Sequence, residues 1–377
     1  MKIIHVINSM STACGGPART TLLTLRGLRD LGMDAKLLTN RLRSDDTPVS
    51  NEPFIDYLPL PHVYYSRWGY SAAFGKALER TSETDIYHIQ GLWQYQGYVT
   101  ARFALENHRP YVITLHGTLH PGALRYSSFI KKITLFLFQS KQLKQAACIH
   151  VTCMKEMENY RLLGFTNPIA VIPNPIECSE PADSFFRDGV KRVGYLGRIQ
   201  PYKRIDRLIE VWRNLNEPGE LVIIGDGDPD YVLKLRGKVK EAGLRKVRFT
   251  GWVSGKEKQK LLASLTCLVV PSDFENFGMI VPEALLQEVP VIASTGSPWE
   301  ELDANRCGWW VDNDVGSLTE TVRKALSLDK GVLQEMGRRG RKLVLDKYSV
   351  DVVSRQMTEL YNWILNKQSK PNFIFEK

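Results

Sequence analysis

One short stretch carries two carboxylates around a glycine turn: Pro271-Ser272-Asp273-Phe274-Glu275-Asn276-Phe277-Gly278-Met279-Ile280-Val281-Pro282-Glu283. It follows the apolar run Leu268-Val269-Val270 and leads into Ala284-Leu285-Leu286-Gln287-Glu288. That pattern reads as buried strand, loop and helix start. Pro282 suits a first helical turn, where a missing N–H costs nothing. The N–H groups of Gly278, Met279 and Ile280 would then face outward at the positive end of the helix dipole, which attracts phosphate. A diphosphate held there would bring Glu275 and Glu283 near whatever its two ends carry.

Further groups point to the same chemistry. Gly197-Arg198-Ile199-Gln200-Pro201-Tyr202-Lys203-Arg204 precedes Ile205, Leu208, Ile209 and Trp212, an apolar helical stripe. The sequence predicts that this segment opens the helix, where the dipole disfavours cations. Arg198 and Lys203 make sense there if they meet an anion, arginine as a fork and lysine as a movable point charge. His116 follows the strand-like run Tyr111–Leu115, where ligands of open α/β sheets bind. Gly15 and Gly16 follow the first strand and let a phosphate or sugar come close.

These groups need a framework of alternating strands and helices. Strands are expected at residues 3–7, 35–39, 85–89, 111–115, 147–151 and 169–172, then at 193–196, 221–224, 247–251, 267–270, 289–293 and 308–311. Helices are expected between about 17 and 31, 154 and 163, 205 and 212, 256 and 264, 317 and 327, and 331 and 346. Val352, Val353, Met357, Leu360, Tyr361 and Ile364 form a last helical stripe. The alternation predicts an α/β architecture of parallel sheets. Neither Gly15-Gly16 nor Gly225-Asp226-Gly227 completes G-x-G-x-x-G, which argues against a nicotinamide site.

The fuller text Pro-Ser-x-x-Glu-x-Phe-Gly-x-x-x-x-Glu-Ala is similar to retaining glycosyltransferases of family 4, the glycosyl transferases group 1. The resemblance extends over most of the chain, strongest in 193–311 and weaker in 40–85 and 118–147. It implies the GT-B fold: two Rossmann-like doubly wound domains facing a central cleft, with a C-terminal helix crossing back to the first. The expected domains are residues 1–178 on the acceptor side, 186–350 for the nucleotide sugar, and 351–377 packing back on the first.

The resemblance also implies roles. Glu275 would hold the donor sugar's hydroxyls and shield a cationic transition state, and His116 would position the sugar. Arg198, Lys203 and the backbone of Gly278, Met279 and Ile280 would neutralise the diphosphate, with the Gly16 loop facing donor and acceptor. Glu283 would accept from the ribose hydroxyls, with Gly225, Trp252 and Val253 near the nucleoside. No cofactor and no metal are expected, since the cations supply the charge. Pro175 stands where the family usually has glycine in its Pro-Asn-Gly turn, which stiffens that turn.

Composition sets the outer limits. A chain of 377 residues suggests two domains, and 43% hydrophobic with 24% charged residues is an ordinary globular balance. Six cysteines show no C-x-x-C or zinc spacing, which suits reduced thiols in the cytosol. No apolar run spans a bilayer, and the N-terminus reads as a strand rather than a signal peptide. The expected location is therefore cytoplasmic. The formal charge of +9 fits an anionic substrate or membrane better than nucleic acid, for which there is no motif.

Residues 120–147 interleave lysines with bulky apolar side chains. They read equally as a helix lying in an anionic membrane surface, on its inner face, or as an ordinary core-facing helix. The expected partners are a nucleotide sugar donor and a saccharide or polyprenyl-diphosphate-linked acceptor. The alternatives are a GT-B sugar-nucleotide epimerase or phosphorylase, and a non-catalytic partner subunit that binds nucleotide or membrane.

Overall fold

The computed structural model describes residues 1–40, 47–59, 69–122, 139–182 and 189–376. The chain divides into two units: Met1–Glu177 with Val350–Lys377, and Cys178–Ser349. The C-terminal helical stripe is thus part of the first unit.

The first unit is built on strands β1 (Lys2–Ser9), β2 (Asp34–Asn40), β3 (Ile55–Leu58), β4 (Ile86–Gln90), β5 (Tyr111–Thr114), β6 (Cys148–Val151) and β7 (Ile169–Val171). They pair in the order β7-β6-β5-β4-β1-β2-β3, and a terminal strand, Ile374–Phe375, adds to β7. All pairings are parallel except that last one, where Ile374 lies opposite Ala170. Alternate residues of each strand go to opposite faces. Ile3, Ile7, Ile86, Val112 and Cys148 pack in one cluster with Leu22 and Leu25 of helix Gly16–Asp30 and with Val353, Met357 and Leu360 of helix Val350–Ile364. Ile4, Val6, Tyr87, Ile89 and Ile113 pack in another with Phe74 and Ala101 of helices Ala72–Glu79 and Tyr95–Glu106. A side chain at Gly27 would reach within 2.0 Å of Ser354 Oγ, so its bareness lets the first and last helices touch.

The second unit has strands β8 (Arg192–Leu196), β9 (Glu220–Ile224), β10 (Val247–Gly251), β11 (Cys267–Val270), β12 (Val291–Ser294) and β13 (Gly308–Val311). Their order is β10-β9-β8-β11-β12-β13, all parallel. Every residue of Cys267–Val270 is buried, as a central parallel strand requires. Ile205, Leu208, Ile209 and Trp212 of helix Ile205–Asn214 pack on this sheet, as their spacing predicts.

One local expectation is corrected. Residues 197–204 do not open that helix; it begins at Ile205, after a single 3-10 turn at Pro201–Lys203. Gln200 is extended, as a residue before proline must be, and Arg204 is left-handed at φ +55°. Arg198 therefore lies in a loop and Lys203 at the end of the 3-10 turn, both ahead of the α-helix rather than in its first turn.

Of the stretch 120–147, residues 123–138 lie outside the described residues. Its end forms helix Ser140–Gln145, which buries Leu143 and leaves Lys141 and Lys144 exposed. Among the described residues no helix is long and apolar enough to cross a membrane.

Candidate active site

In an open parallel sheet, loops that leave the carboxyl ends of neighbouring strands diverge where the strand order reverses. In the second unit that reversal lies between β8 and β11. The loop after β8 carries Arg198 and Lys203, and the loop after β11 carries Glu275 and the Gly278 turn. The topology thus brings together groups from opposite ends of a 77-residue span.

The two loops are joined at several points. Lys203 Nζ lies 2.5 Å from Glu275 Oε1, with side chains 13% and 8% exposed. Ser272 Oγ donates to the same oxygen at 2.8 Å. Asp273 N–H donates to the Tyr202 carbonyl at 2.8 Å, and the Tyr202 and Phe274 rings stack at 4.7 Å. Arg207 and Asn313 both donate to Asp273 Oδ1. Glu275 N–H donates to the Gly296 carbonyl at 2.9 Å. The carboxylate is therefore aimed by backbone as well as by its side-chain partners.

Arg198 is exposed, and no described residue pairs with its guanidinium. Its carbonyl accepts from the Tyr195 hydroxyl at 2.9 Å. Burial, with Glu275 nearby, raises the Tyr195 phenol well above its usual range, so it remains a donor.

The turn after Glu275 passes through Gly278 at φ +77° into helix Ile280–Leu286. Pro282 falls in the first turn, as expected, and Val281 N–H donates back to the Gly278 carbonyl. Among the described residues no carbonyl takes the N–H of Gly278, Met279 or Ile280. Trp299 Nε1–H donates to the Phe277 carbonyl and closes the turn from behind. Glu283 meets Lys258 Nζ at 2.8 Å, with both side chains about one-sixth exposed (16% and 17%). Lys258 was not singled out by sequence; only its place on helix Gly255–Ala263 brings it there.

Gly225 serves the chain's own packing. It has φ +137°, and a Cβ there would lie 2.0 Å from the Gly197 carbonyl oxygen. Trp252, after β10, is 75% exposed, and Val253 beside it is half-buried.

In the first unit, Gly16 opens helix Gly16–Asp30, with Gly15 at φ +71° before it. A Cβ at Gly16 would meet nothing within 4 Å. His116 follows β5 in a left-handed conformation, φ +49°. Its Nε2 lies 2.8 Å from Gln90 Oε1. Gly117 N–H donates to the carboxylate of buried Glu156, which also accepts from Thr152 N–H at 2.8 Å. Burial, with His150 nearby, pushes His116 down to about 3, so the ring is neutral. The residues behind it, Gln90, Glu156 and the buried His5, His88 and His150, escaped the sequence reading. The one available signal was a polar residue interrupting apolar runs in adjacent strands.

Two family models match the chain. Residues 179–343 match "Glycosyl transferases group 1", and residues 15–175 match "Glycosyl transferase 4-like domain". An uncharacterized glycosyltransferase of Methanocaldococcus jannaschii is 32% identical over 333 residues, covering 80% of this chain and 82% of that protein. A GDP-mannose-dependent alpha-mannosyltransferase of Mycobacterium tuberculosis is 36% identical over 124 residues, only 32% of this chain and 30% of its own length. Among solved structures, sucrose-phosphate synthase from Thermosynechococcus elongatus superposes with a TM-score of 0.82 at 20% identity, over 98% of this chain and 100% of the other. Anabaena HepE in complex with UDP and glucose gives 0.74 at 18% identity, over 96% and 100%.

Proposed function

The chain belongs to the glycosyl transferases group 1 family and has the GT-B fold, and from that premise we propose that it transfers a sugar from a nucleoside diphosphate sugar to a hydroxyl of a saccharide or polyprenyl-diphosphate-linked saccharide, with retention at the anomeric carbon. The observation that carries this reading is the cluster at the strand reversal of the second sheet. There Arg198, Lys203, Glu275 and the Gly278 turn converge. A nucleotide sugar as donor is supported by the structural neighbours solved with UDP or UDP-glucose.

The roles follow from the chemistry of these groups. Arg198 and Lys203 take the diphosphate, and the N–H groups of Gly278, Met279 and Ile280 add oriented dipoles. Charge that develops on the leaving diphosphate is best met by groups already in place, so transfer is expected without a metal requirement. Glu275 accepts from the donor sugar's hydroxyls, and Glu283 from those of the ribose, beside Trp252 and Val253. His116, neutral and held by Gln90, meets a sugar hydroxyl. The formal charge of +9 suits an acceptor that carries phosphate.

The deciding experiment is calorimetric titration with UDP, GDP and ADP, with and without magnesium, on wild type and Arg198→Ala. Binding of one nucleotide, lost in the variant, names the donor class for a sugar screen. No binding of any, together with no consumption of UDP-, GDP- or ADP-sugars beside acceptor lipids, would overturn the reading. So would full transfer by Glu275→Ala.

A further inference from the structure

Four histidines, a tyrosine, a threonine and a glutamine of the first unit are linked by hydrogen bonds into one chain. His150 Nε2 lies 2.8 Å from the Ile172 carbonyl, and His150 Nδ1 lies 2.8 Å from Thr114 Oγ1. Thr114 Oγ1 is 2.6 Å from His88 Nε2, and His88 Nδ1 is 2.6 Å from the Tyr361 hydroxyl. That hydroxyl is 3.0 Å from His5 Nε2, His5 Nδ1 is 3.1 Å from Gln90 Nε2, and Gln90 Oε1 is 2.8 Å from His116 Nε2. The strands explain the row. His5 stands opposite His88 and Thr114 opposite His150 on neighbouring strands, and Tyr361 caps them from helix Val350–Ile364.

The end of the chain sets its direction. A carbonyl oxygen only accepts, so His150 carries its proton on Nε2, and a neutral ring then has Nδ1 as acceptor. Thr114 must donate to it, and therefore accepts from His88 Nε2–H. By the same step Tyr361 donates to His88 Nδ1 and accepts from His5 Nε2–H. Gln90 then donates to His5 Nδ1, which leaves Gln90 Oε1 to accept from His116 Nε2–H. Along the row from the Ile172 carbonyl to His116 Nε2–H, each hydrogen bond then has one donor and one acceptor. Burial keeps all four rings neutral, since a charged imidazole there would be stripped of water.

We propose that this directed chain, anchored on the Ile172 carbonyl and passed through Tyr361 of the C-terminal helix, holds His116 in its Nε2–H tautomer and so makes its Nδ1 a hydrogen-bond acceptor. Gln90 and Tyr361 are positioning residues. An acceptor Nδ1 takes a hydroxyl and rejects an anionic oxygen, so the ligand group beside His116 is a sugar hydroxyl rather than a phosphate. This rests on the reading of His116 as a residue that meets substrate.

The test is NMR of the full chain with 15N-labelled histidine, at pH about 7.5 and with no sugar nucleotide present. In wild type, His5, His88, His116 and His150 should each show the neutral Nε2–H pattern. Gln90→Met removes the acceptor of the His116 proton and should turn His116 into a mixture of tautomers. Tyr361→Phe should do the same to His5 and His88. With the donor sugar found, kcat of Gln90→Met should fall about ten-fold with KM for donor nearly unchanged. A wild-type His116 that is charged or carries its proton on Nδ1 overturns the proposal, even if neither variant folds. A pure Nε2–H His116 in folded Gln90→Met overturns it too. The expected tautomers in a protein that consumes no sugar nucleotide would support the chain and sink the transfer reading instead.

Discussion

Lys203 and Glu275, 72 residues apart, form an ion pair almost closed to solvent, with Nζ 2.5 Å from Oε1. The pair joins the proposed diphosphate ligand to the proposed sugar ligand. A donor that took both would put its own phosphate on the lysine and its hydroxyls on the glutamate.

Breaking this pair should cost stability as well as activity. Removing one member of a buried pair strands the other charge, at a cost of about 3–5 kcal/mol. Lys203→Met should lower the urea midpoint markedly. The double variant Lys203→Met, Glu275→Gln should recover much of that loss, while transfer stays abolished. Equal midpoints for wild type and Lys203→Met would show that the pair is not formed in solution.

Arg198 should behave oppositely. Its guanidinium is exposed and has no described partner, so Arg198→Ala should change stability by less than about 0.5 kcal/mol. A charge-assisted bond to phosphate contributes about 1.5–3 kcal/mol, so affinity for the nucleoside diphosphate should fall by roughly ten- to a hundred-fold. Calorimetry beside thermal melts separates the two effects.

Three buried histidines and the partly buried His116 predict acid sensitivity. His5 and His116 are pushed down to about 3 and His150 to about 4, and His88 is lowered too, in each case mainly by burial. The unfolded chain therefore binds more protons once the pH drops below about 6.5. Their contribution is complete above that value and is lost as pH falls toward 3–4, at up to about 1.4 kcal/mol per pH unit for each ring. Urea midpoints between pH 7.5 and 4.5 should drop steeply, and less steeply in His150→Gln if that variant folds. A flat profile would refute neutral burial.

Gly225→Ala should unsettle the turns that follow β8 and β9. The added methyl would fall 2.0 Å from the Gly197 carbonyl oxygen at a φ of +137° that alanine avoids, a loss of at least about 2 kcal/mol. The melting temperature checks this directly. An unchanged value would mean that the two turns are not in contact.

Much of the fold was legible because it rests on short periods. Apolar runs such as Cys267–Val270 and the stripe Ile205, Leu208, Ile209, Trp212 report strand and helix with no knowledge of the rest of the chain. Short or polar elements were not legible. Helix Tyr95–Glu106 has no clean apolar stripe, and the strand Ile374–Phe375 exists only because the edge of β7 is there to receive it. The segment 197–204 was misread because its cations suggested a helix end, whereas Gln200 before Pro201 is extended and Arg204 is left-handed, so the α-helix starts only at Ile205.

By itself, the sequence determined the alternation of strands and helices, the glycine turn between Glu275 and Glu283, and the placing of Arg198, Lys203 and His116 near strand ends. All of these depend on residues within a few positions of one another. The tertiary structure alone decided that Lys203 meets Glu275, that Lys258 meets Glu283, and that His5, His88, Thr114, His150 and Tyr361 share protons. Such contacts depend on strand order and register, which put distant residues on neighbouring strands. Register is an outcome of how the whole sheet buries its faces, and no local pattern encodes it.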